Sequence, residues 1–181
     1  KSMDIVAIGM LKERKGFQDL LNAFPAVMGT YPNAQLHIFG KGPQRETLEA
    51  LVSKHGIEEN VTFHGYVSHS QIKDFLADCR LFVHPSYSEG YSHVRLEALA
   101  SGCPVVGTDI MCANGMIVDE YTGLTVQPGD TNGLARSIMQ LLSADERLVE
   151  MSHNCREHVA KHYSFDQIGQ QWADVYDSII G

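Results

Sequence analysis

No apolar run in this sequence approaches the length needed to cross a membrane, and no secretory signal pattern opens it. A basic excess is missing too. Its 14 Lys and Arg against 22 Asp and Glu leave a net charge of -8 at pH 7, which excludes a general basic field for binding nucleic acid. The four cysteines, Cys79, Cys103, Cys112 and Cys155, lack metal-ligand spacing. Cys79 and Cys103 border apolar runs and read as small core residues, as expected of a protein in the reducing cytoplasm. Neither a repeat, a low-complexity tract nor a linker interrupts the 181 residues. A composition 44% apolar and 20% charged therefore fits one domain over residues 1–181 with a core of its own. The first four residues lead almost directly into a strand, as they would in an excised domain.

What is present is a regular alternation. Ile5 to Ile8 reads as a first strand and Phe17 to Met28 as a first helix, in which Pro25 marks a kink or the start of a second short helix. Leu36 to Phe39 is the next strand, and a helix carrying Leu48, Leu51 and Val52 ends at Gly56. Val61 to Phe63 is followed by a helix with Ile72, Phe75 and Leu76. Leu81 to Val83, Val105-Val106 and Leu124 to Val126 complete six strands. Beyond them lie helical stripes at Leu134, Ile138, Leu141 and Leu142, and at Met151, Cys155 and Val159. Phe165, Ile168, Trp172, Val175, Tyr176 and Ile179 mark a last helix with a wide apolar face. Strands separated by helices predict an α/β fold, a doubly wound parallel sheet of about six strands with C-terminal helices.

The stretch HPSYSEGYSHVRLEALASGCPVV, from His84 to Val106, organises the rest. Pro85 ends a strand, Ser86 to Gly90 form a tight loop, and Ser92 is placed to cap a helix. Gly102 suits the left-handed stop of that helix. Glu89 in the loop and Glu97 in the helix can both face one small volume, and free N–H groups at His93 and Val94 favour an anion. Ligands of doubly wound sheets bind at the carboxyl ends of the strands, where this loop meets others. Those are Gly9–Gly16 with Lys12, Arg14 and Lys15, then Gly40–Pro43, Gly65–Ser68 and Asp109–Gly115. Such a rim suits a nucleoside diphosphate bearing a ribose or sugar. Plainer readings stand beside this one: the cations as a solvated turn, Glu97 as an acid near a helix start, His158 and His162 as surface histidines. Arg45 stands where a dinucleotide fingerprint needs its third glycine, which argues against NAD.

SEGYSHVRLEALASGCPVV resembles the signature of family 4 glycosyltransferases, retaining enzymes of the two-domain GT-B fold. Glu89 and Glu97 match its pair of glutamates separated by seven residues. IGMLKERKGFQDLLNAF, LHIFGKGPQRETL, VTFHGYV and YTGLTVQPGD extend the match in the family's order. The resemblance implies the C-terminal, donor-binding domain, with an N-terminal acceptor domain absent from this chain. It implies that Lys15, after Gly9, neutralises the diphosphate of a nucleotide sugar. Glu89 would contact and position the sugar, which makes Glu89 and Lys15 the expected catalytic pair. The backbone at Gly90, Tyr91, Ser92, His93 and Val94 would hold sugar and distal phosphate. Glu97 would bind the ribose hydroxyls, while Gly65, Tyr66 and Val67 meet the base. The implied donor carries UDP first, GDP or ADP as alternatives. No cofactor and no metal is implied, and the acceptor would be a glycan, a lipid or a small molecule. The full-length protein would be cytoplasmic, with the inner face of the membrane as a peripheral location.

The sequence departs from the family at Met10, where the pattern has arginine, and at Ser92, where it often has glycine. It departs again at Met111-Cys112, for Gly-Gly, and at Gly115, for a later glutamate. Two other readings accordingly stay open: a non-catalytic nucleotide-sugar-binding module, and a glycoside hydrolase using Glu89 and Glu97 as its carboxylate pair.

Overall fold

A computed structural model of the chain describes residues 3–110, 115–164, 166–170 and 175–176. The strands are β1 (Asp4–Ile8), β2 (Gln35–Phe39), β3 (Val61–Gly65), β4 (Leu81–His84), β5 (Val105–Thr108) and β6 (Gly123–Val126). Between and after them run α1 (Phe17–Thr30), α2 (Arg45–His55), α3 (His69–Asp78), α4 (His93–Ala100), α5 (Thr131–Leu142) and α6 (Asp145–His162). The strands form one parallel sheet in the order β3-β2-β1-β4-β5-β6. That order reverses between β1 and β4, so the loops leaving these two neighbouring strands diverge and open a crevice.

The alternation of side chains along each strand divides the core into two layers. Ile5, Ala7, Leu36, Ile38 and Val83 face one way, against Leu20, Phe24, Leu48, Leu134 and Ile138 of α1, α2 and α5. Val6, Phe39, Phe82 and Val105 face the other way, against Leu76, Ala98, Leu99 and Cys155 of α3, α4 and α6. The central strands β4 and β5 are buried at every position, which is why they read as continuous apolar runs.

Pro25 neither starts a second helix nor breaks the first: α1 runs unbroken through it to Thr30. Its buried residues Phe17, Leu20, Leu21, Phe24 and Val27 recur every three or four positions. Their packing onto the sheet outweighs the one backbone bond the proline removes. Gly56 and Gly102 take the left-handed conformation expected after α2 and α4. Cys79 and Cys103 are core residues, their sulfurs 3.0 Å apart. His158 is buried rather than on the surface, and its Nε2 lies 2.9 Å from the Gly115 carbonyl.

Residues 166–170 and 175–176 are helical, and Val175 and Tyr176 are exposed. Phe165, Trp172 and Ile179 of the expected last helix lie outside the described residues, as do Met111 and Cys112.

Candidate donor site at the carboxyl edge of the sheet

The crevice between β1 and β4 brings together side chains that are 74 positions apart in sequence. Lys15 ends a 3-10 turn over Glu13–Lys15, and its Nζ donates to Glu89 Oε1 at 2.5 Å. The neighbouring Arg14 donates from Nη1 to the Ser88 carbonyl, and Tyr87 N–H donates to the Arg14 carbonyl. Only Lys12 of the three cations keeps the character of a solvated turn; it is exposed, and neither described ion pairs nor side-chain hydrogen bonds involve it. Gly16 makes this contact between loops close. At φ 68° it sits so near the Pro85 carbonyl that a side-chain carbon there would lie 2.0 Å from the oxygen.

Glu89 is the centre of a buried cluster. Its side chain is 7% exposed, and Oε1 also lies 3.2 Å from His84 Nε2. This second contact is bent: by strict hydrogen-bond geometry Nε2 is a buried nitrogen without an aligned partner. On the other side of the ring, Arg95 Nε donates to His84 Nδ1 at 2.8 Å. Arg95 is 1% exposed, and its Nη2 donates to the Thr108 carbonyl, to Thr108 Oγ1 and to the His84 carbonyl. Burial lowers the Arg95 pKa to about 10, which leaves it charged at neutral pH. Burial would raise the Glu89 carboxyl, but His84, Lys15 and Ser86 outweigh it and hold the group well below the usual carboxylate range. Lys15 and Arg95 against Glu89 leave the cluster with one surplus positive charge, an environment that favours an anion beside it.

Glu97 stands apart from this cluster. Its Oε1 lies 3.8 Å from Nδ1 of His69, at the start of α3, and its side chain is 34% exposed. The two acids share no partner among the described residues, so the pair is not a dyad. A glycosidase acid needs a raised pKa on one carboxyl, and Glu89 shows the opposite shift.

Two details at the start of α4 differ from expectation. Ser92 holds the N-cap position, but its hydroxyl makes no capping bond; Oγ is buried without a partner among the described residues. The His93 N–H is not free either, since it donates to the Tyr91 carbonyl at 3.2 Å. The tight turn through 90–92 thus satisfies one amide by itself. Val94 N–H takes no such bond among the described residues.

Beside the cluster, the carboxyl ends of β1, β2 and β3 enclose an apolar cleft of about 340 Å³, lined by Gly9, Met10, Phe39, Gly65, Tyr66 and Val67 among others. The Lys15 stem passes 3.7 Å from the point where a Gly9 side chain would begin, so the cleft continues into the charged crevice. Tyr66 is 78% and Met10 51% exposed, which places Met10 in the cleft wall and not in the core. The dinucleotide alternative has no support here: Arg45 lies over the Phe63 ring, 4.4 Å from its centroid, and pairs with Glu49.

The family profile described as glycosyl transferases group 1 matches residues 1–161. The chain belongs to that family. It is similar to an uncharacterized glycosyltransferase of Methanocaldococcus jannaschii, with 31% identity over 95% of this chain and 44% of that protein. It is similar also to the alpha-D-kanosaminyltransferase of Streptomyces kanamyceticus, with 30% identity over 97% of this chain and 45% of that protein. The fold superposes on S. aureus TarM, solved with fondaparinux, alpha-GlcNAc-glycerol and UDP, with a TM-score of 0.89 and 25% identity. That match covers 97% of this chain and 35% of TarM. The chain therefore spans about half the length, or less, of these relatives. Its sheet is that of the C-terminal domain of the GT-B glycosyltransferases.

His84 and Arg95 were not singled out by sequence reasoning, although both sit in its central stretch. A signal was there: an arginine between Val94 and Leu96, three and four positions before the apolar Ala98 and Leu99 of the same helix face, and eleven residues after a histidine that closes a buried strand.

Burial pushes the His84 imidazole down to about 4. An unfolded histidine titrates near 6.5, so between these values the unfolded state binds more protons and stability rises with pH. We expect about 3 kcal/mol of stability to be lost as pH falls from roughly 6.5 to 4, the product of this shift and the free energy per pH unit. His64, lowered by burial and by His37, changes stability in the same direction. Urea unfolding at pH 7 and at pH 4.5 checks this. His84→Gln should flatten the pH dependence, and an unchanged slope would show that His84 does not cause it.

Proposed function

We propose that this chain is the donor-binding half of a retaining glycosyltransferase, transferring a sugar from a nucleoside diphosphate to an acceptor hydroxyl. The observation that carries the reading is the Lys15–Glu89–His84 cluster at the crevice where strand order reverses, with an apolar cleft beside it. The base lies against Tyr66 and Val67, and the ribose hydroxyls donate to Glu97. The diphosphate sits over Lys15 and the start of α4, where the Val94 amide and the surplus charge of the cluster favour it. Glu89 accepts from the sugar hydroxyls and orients the anomeric carbon. In the reaction the acceptor oxygen bonds to that carbon as its bond to the diphosphate oxygen breaks. The acceptor proton passes to the departing diphosphate, and both changes occur on one face of the sugar.

The relative solved with UDP supports a uridine donor. An N-terminal domain closing the cleft, a cytoplasmic location and an acceptor of glycan, lipid or small-molecule class belong to the same proposal. Among the described residues no helix is long and apolar enough to cross a membrane. Met10 supports a second reading, a non-catalytic nucleotide-sugar-binding module. An arginine would reach the diphosphate oxygens from that position in the cleft wall, whereas a methionine supplies no charge.

Thermal shift with UDP, GDP, ADP and their sugars tests the donor site, since a ligand held only by the folded state raises the melting temperature. The isolated chain should bind a nucleoside diphosphate weakly and transfer no sugar, because the cleft has one wall. Glu97→Ala should weaken nucleotide binding by roughly 1.5–3 kcal/mol, the worth of hydrogen bonds to a charged group. Absence of a shift with every nucleotide would overturn the donor site, and robust turnover by this chain alone would overturn the two-domain reading.

A further inference from the structure

We propose that Arg95 is a positioning residue of the donor site: its bond to Nδ1 fixes His84 as the Nε2–H tautomer, so that Glu89 faces a proton and not a lone pair. The inference rests on the reading that Glu89 addresses the donor sugar. It follows from the donor inventory of the two side chains. A guanidinium carries N–H groups only and has nothing to accept with. With Arg95 Nε 2.8 Å from His84 Nδ1, that ring nitrogen must present its lone pair. A neutral imidazole has one N–H, which then belongs to Nε2, 3.2 Å from Glu89 Oε1.

The other tautomer would set two lone pairs against each other at Glu89 and two N–H groups against each other at Arg95. Either clash would turn the ring or displace the carboxylate. The carboxylate is thus gripped by groups of two different origins: Lys15 from the loop after β1, and His84 from the end of β4. Both of these contacts fall on the same oxygen, Oε1.

Nothing about packing requires an arginine here. The position faces a core layer where leucine would remove the expense of burying a charge. Instead the structure accommodates the guanidinium. Gly107 of β5 leaves the room, since a side-chain carbon there would meet Arg95 Nη2 at 3.3 Å and Ile117 at 2.7 Å. Thr108 offers both its carbonyl and its hydroxyl to Arg95, and its hydroxyl donates to the Ser86 carbonyl at the root of the Glu89 loop. Arg95 therefore ties the ends of β4 and β5 to the loop that carries the carboxylate, besides setting the ring.

Nitrogen-15 shifts of the His84 ring in the parent chain at pH 7 test the tautomer without any mutation. The expected pattern is an unprotonated Nδ1 and a protonated Nε2; the reverse pattern, or an imidazolium, would overturn the proposal. Binding supplies the second test, as the ratio of UDP-sugar to UDP affinity. His84→Gln can accept from Arg95 and donate toward Glu89 with one amide, and should hold the ratio within about threefold of the parent. His84→Leu and Arg95→Leu should lower it about tenfold. A His84→Leu ratio equal to the parent's, or a glutamine variant as poor as the leucine one, would mean that the ring only fills space. If Arg95→Leu does not fold, the ring shifts and the two His84 variants decide. If Glu89→Gln leaves the ratio unchanged, the donor-site reading fails, while the ring shifts still report on the tautomer.

Discussion

Gly16→Ala is expected to lower the unfolding free energy by about 3 kcal/mol, combining left-handed strain of 1–2 kcal/mol with overpacking of 1–3 kcal/mol. The glycine has φ 68°, and the new methyl carbon would fall 2.0 Å from the Pro85 carbonyl oxygen, a backbone atom that no side-chain rotation can clear. Relief requires the loop after β1 to separate from the loop after β4, and these two loops carry Lys15 and Glu89. The variant should therefore lose nucleotide binding together with stability. Two other glycines act as controls. Gly56 has φ 63° with open space around it, so Gly56→Ala should cost about 1 kcal/mol, the left-handed strain alone. Gly29 lies inside α1 with nothing within 4 Å, so Gly29→Ala should stabilise by roughly 0.5–1 kcal/mol. Urea unfolding of the three variants should rank them in that order. Equal costs at Gly16 and Gly56 would mean that the two loops are not held in contact in solution.

Glu89→Gln is expected to destabilise the domain by about 3 kcal/mol at pH 7, because it leaves the Lys15 ammonium without a counter-charge at a part-buried site. The pH dependence has a definite sign. The native carboxyl is held well below its unfolded value, so its contribution is complete above roughly pH 4.3. Below that it declines progressively and is gone once pH has fallen through the native value. Parent and variant should therefore converge in acid and differ most near neutrality. Binding should change in the opposite sense for the two kinds of ligand. Lys15, freed from its partner, can pair with a diphosphate, so affinity for free UDP should hold or rise. Affinity for the sugar nucleotide relative to UDP should fall by roughly 1.5–3 kcal/mol, as the carboxylate's hydrogen bonds to the sugar are weakened. Calorimetry on both ligands separates these effects. An equal loss for both would assign Glu89 to holding the loop rather than the sugar.

The order of elements, the doubly wound class and the placing of the glycine-bearing loops at the carboxyl edge were all legible in the chain. Alternating apolar runs and glycine stops report the local period, and the period is what binary patterning encodes. Lys15 and Glu89 were legible as well, each standing in a loop beside a glycine at a strand end. Their direct contact was not. It depends on β1 lying next to β4, and strand order is chosen by how the helices α1 and α5 cover one face and α4 and α6 the other.

Pro25 shows the same division of information. Local chemistry allows a kink or the start of a second helix there, and packing of the apolar stripe from Phe17 to Val27 keeps a single helix running through it. Ser92 is the reverse case: its residue type and position suit a cap, but the turn through 90–92 directs the hydroxyl inward, where it finds no partner among the described residues. Arg95 is the clearest example. Period alone marks its position as buried, and composition marks its side chain as charged. Only the packed arrangement of His84, Thr108 and Gly107 resolves that conflict, because whether a buried donor is satisfied depends on which acceptors the tertiary fold places within 3 Å or so of it.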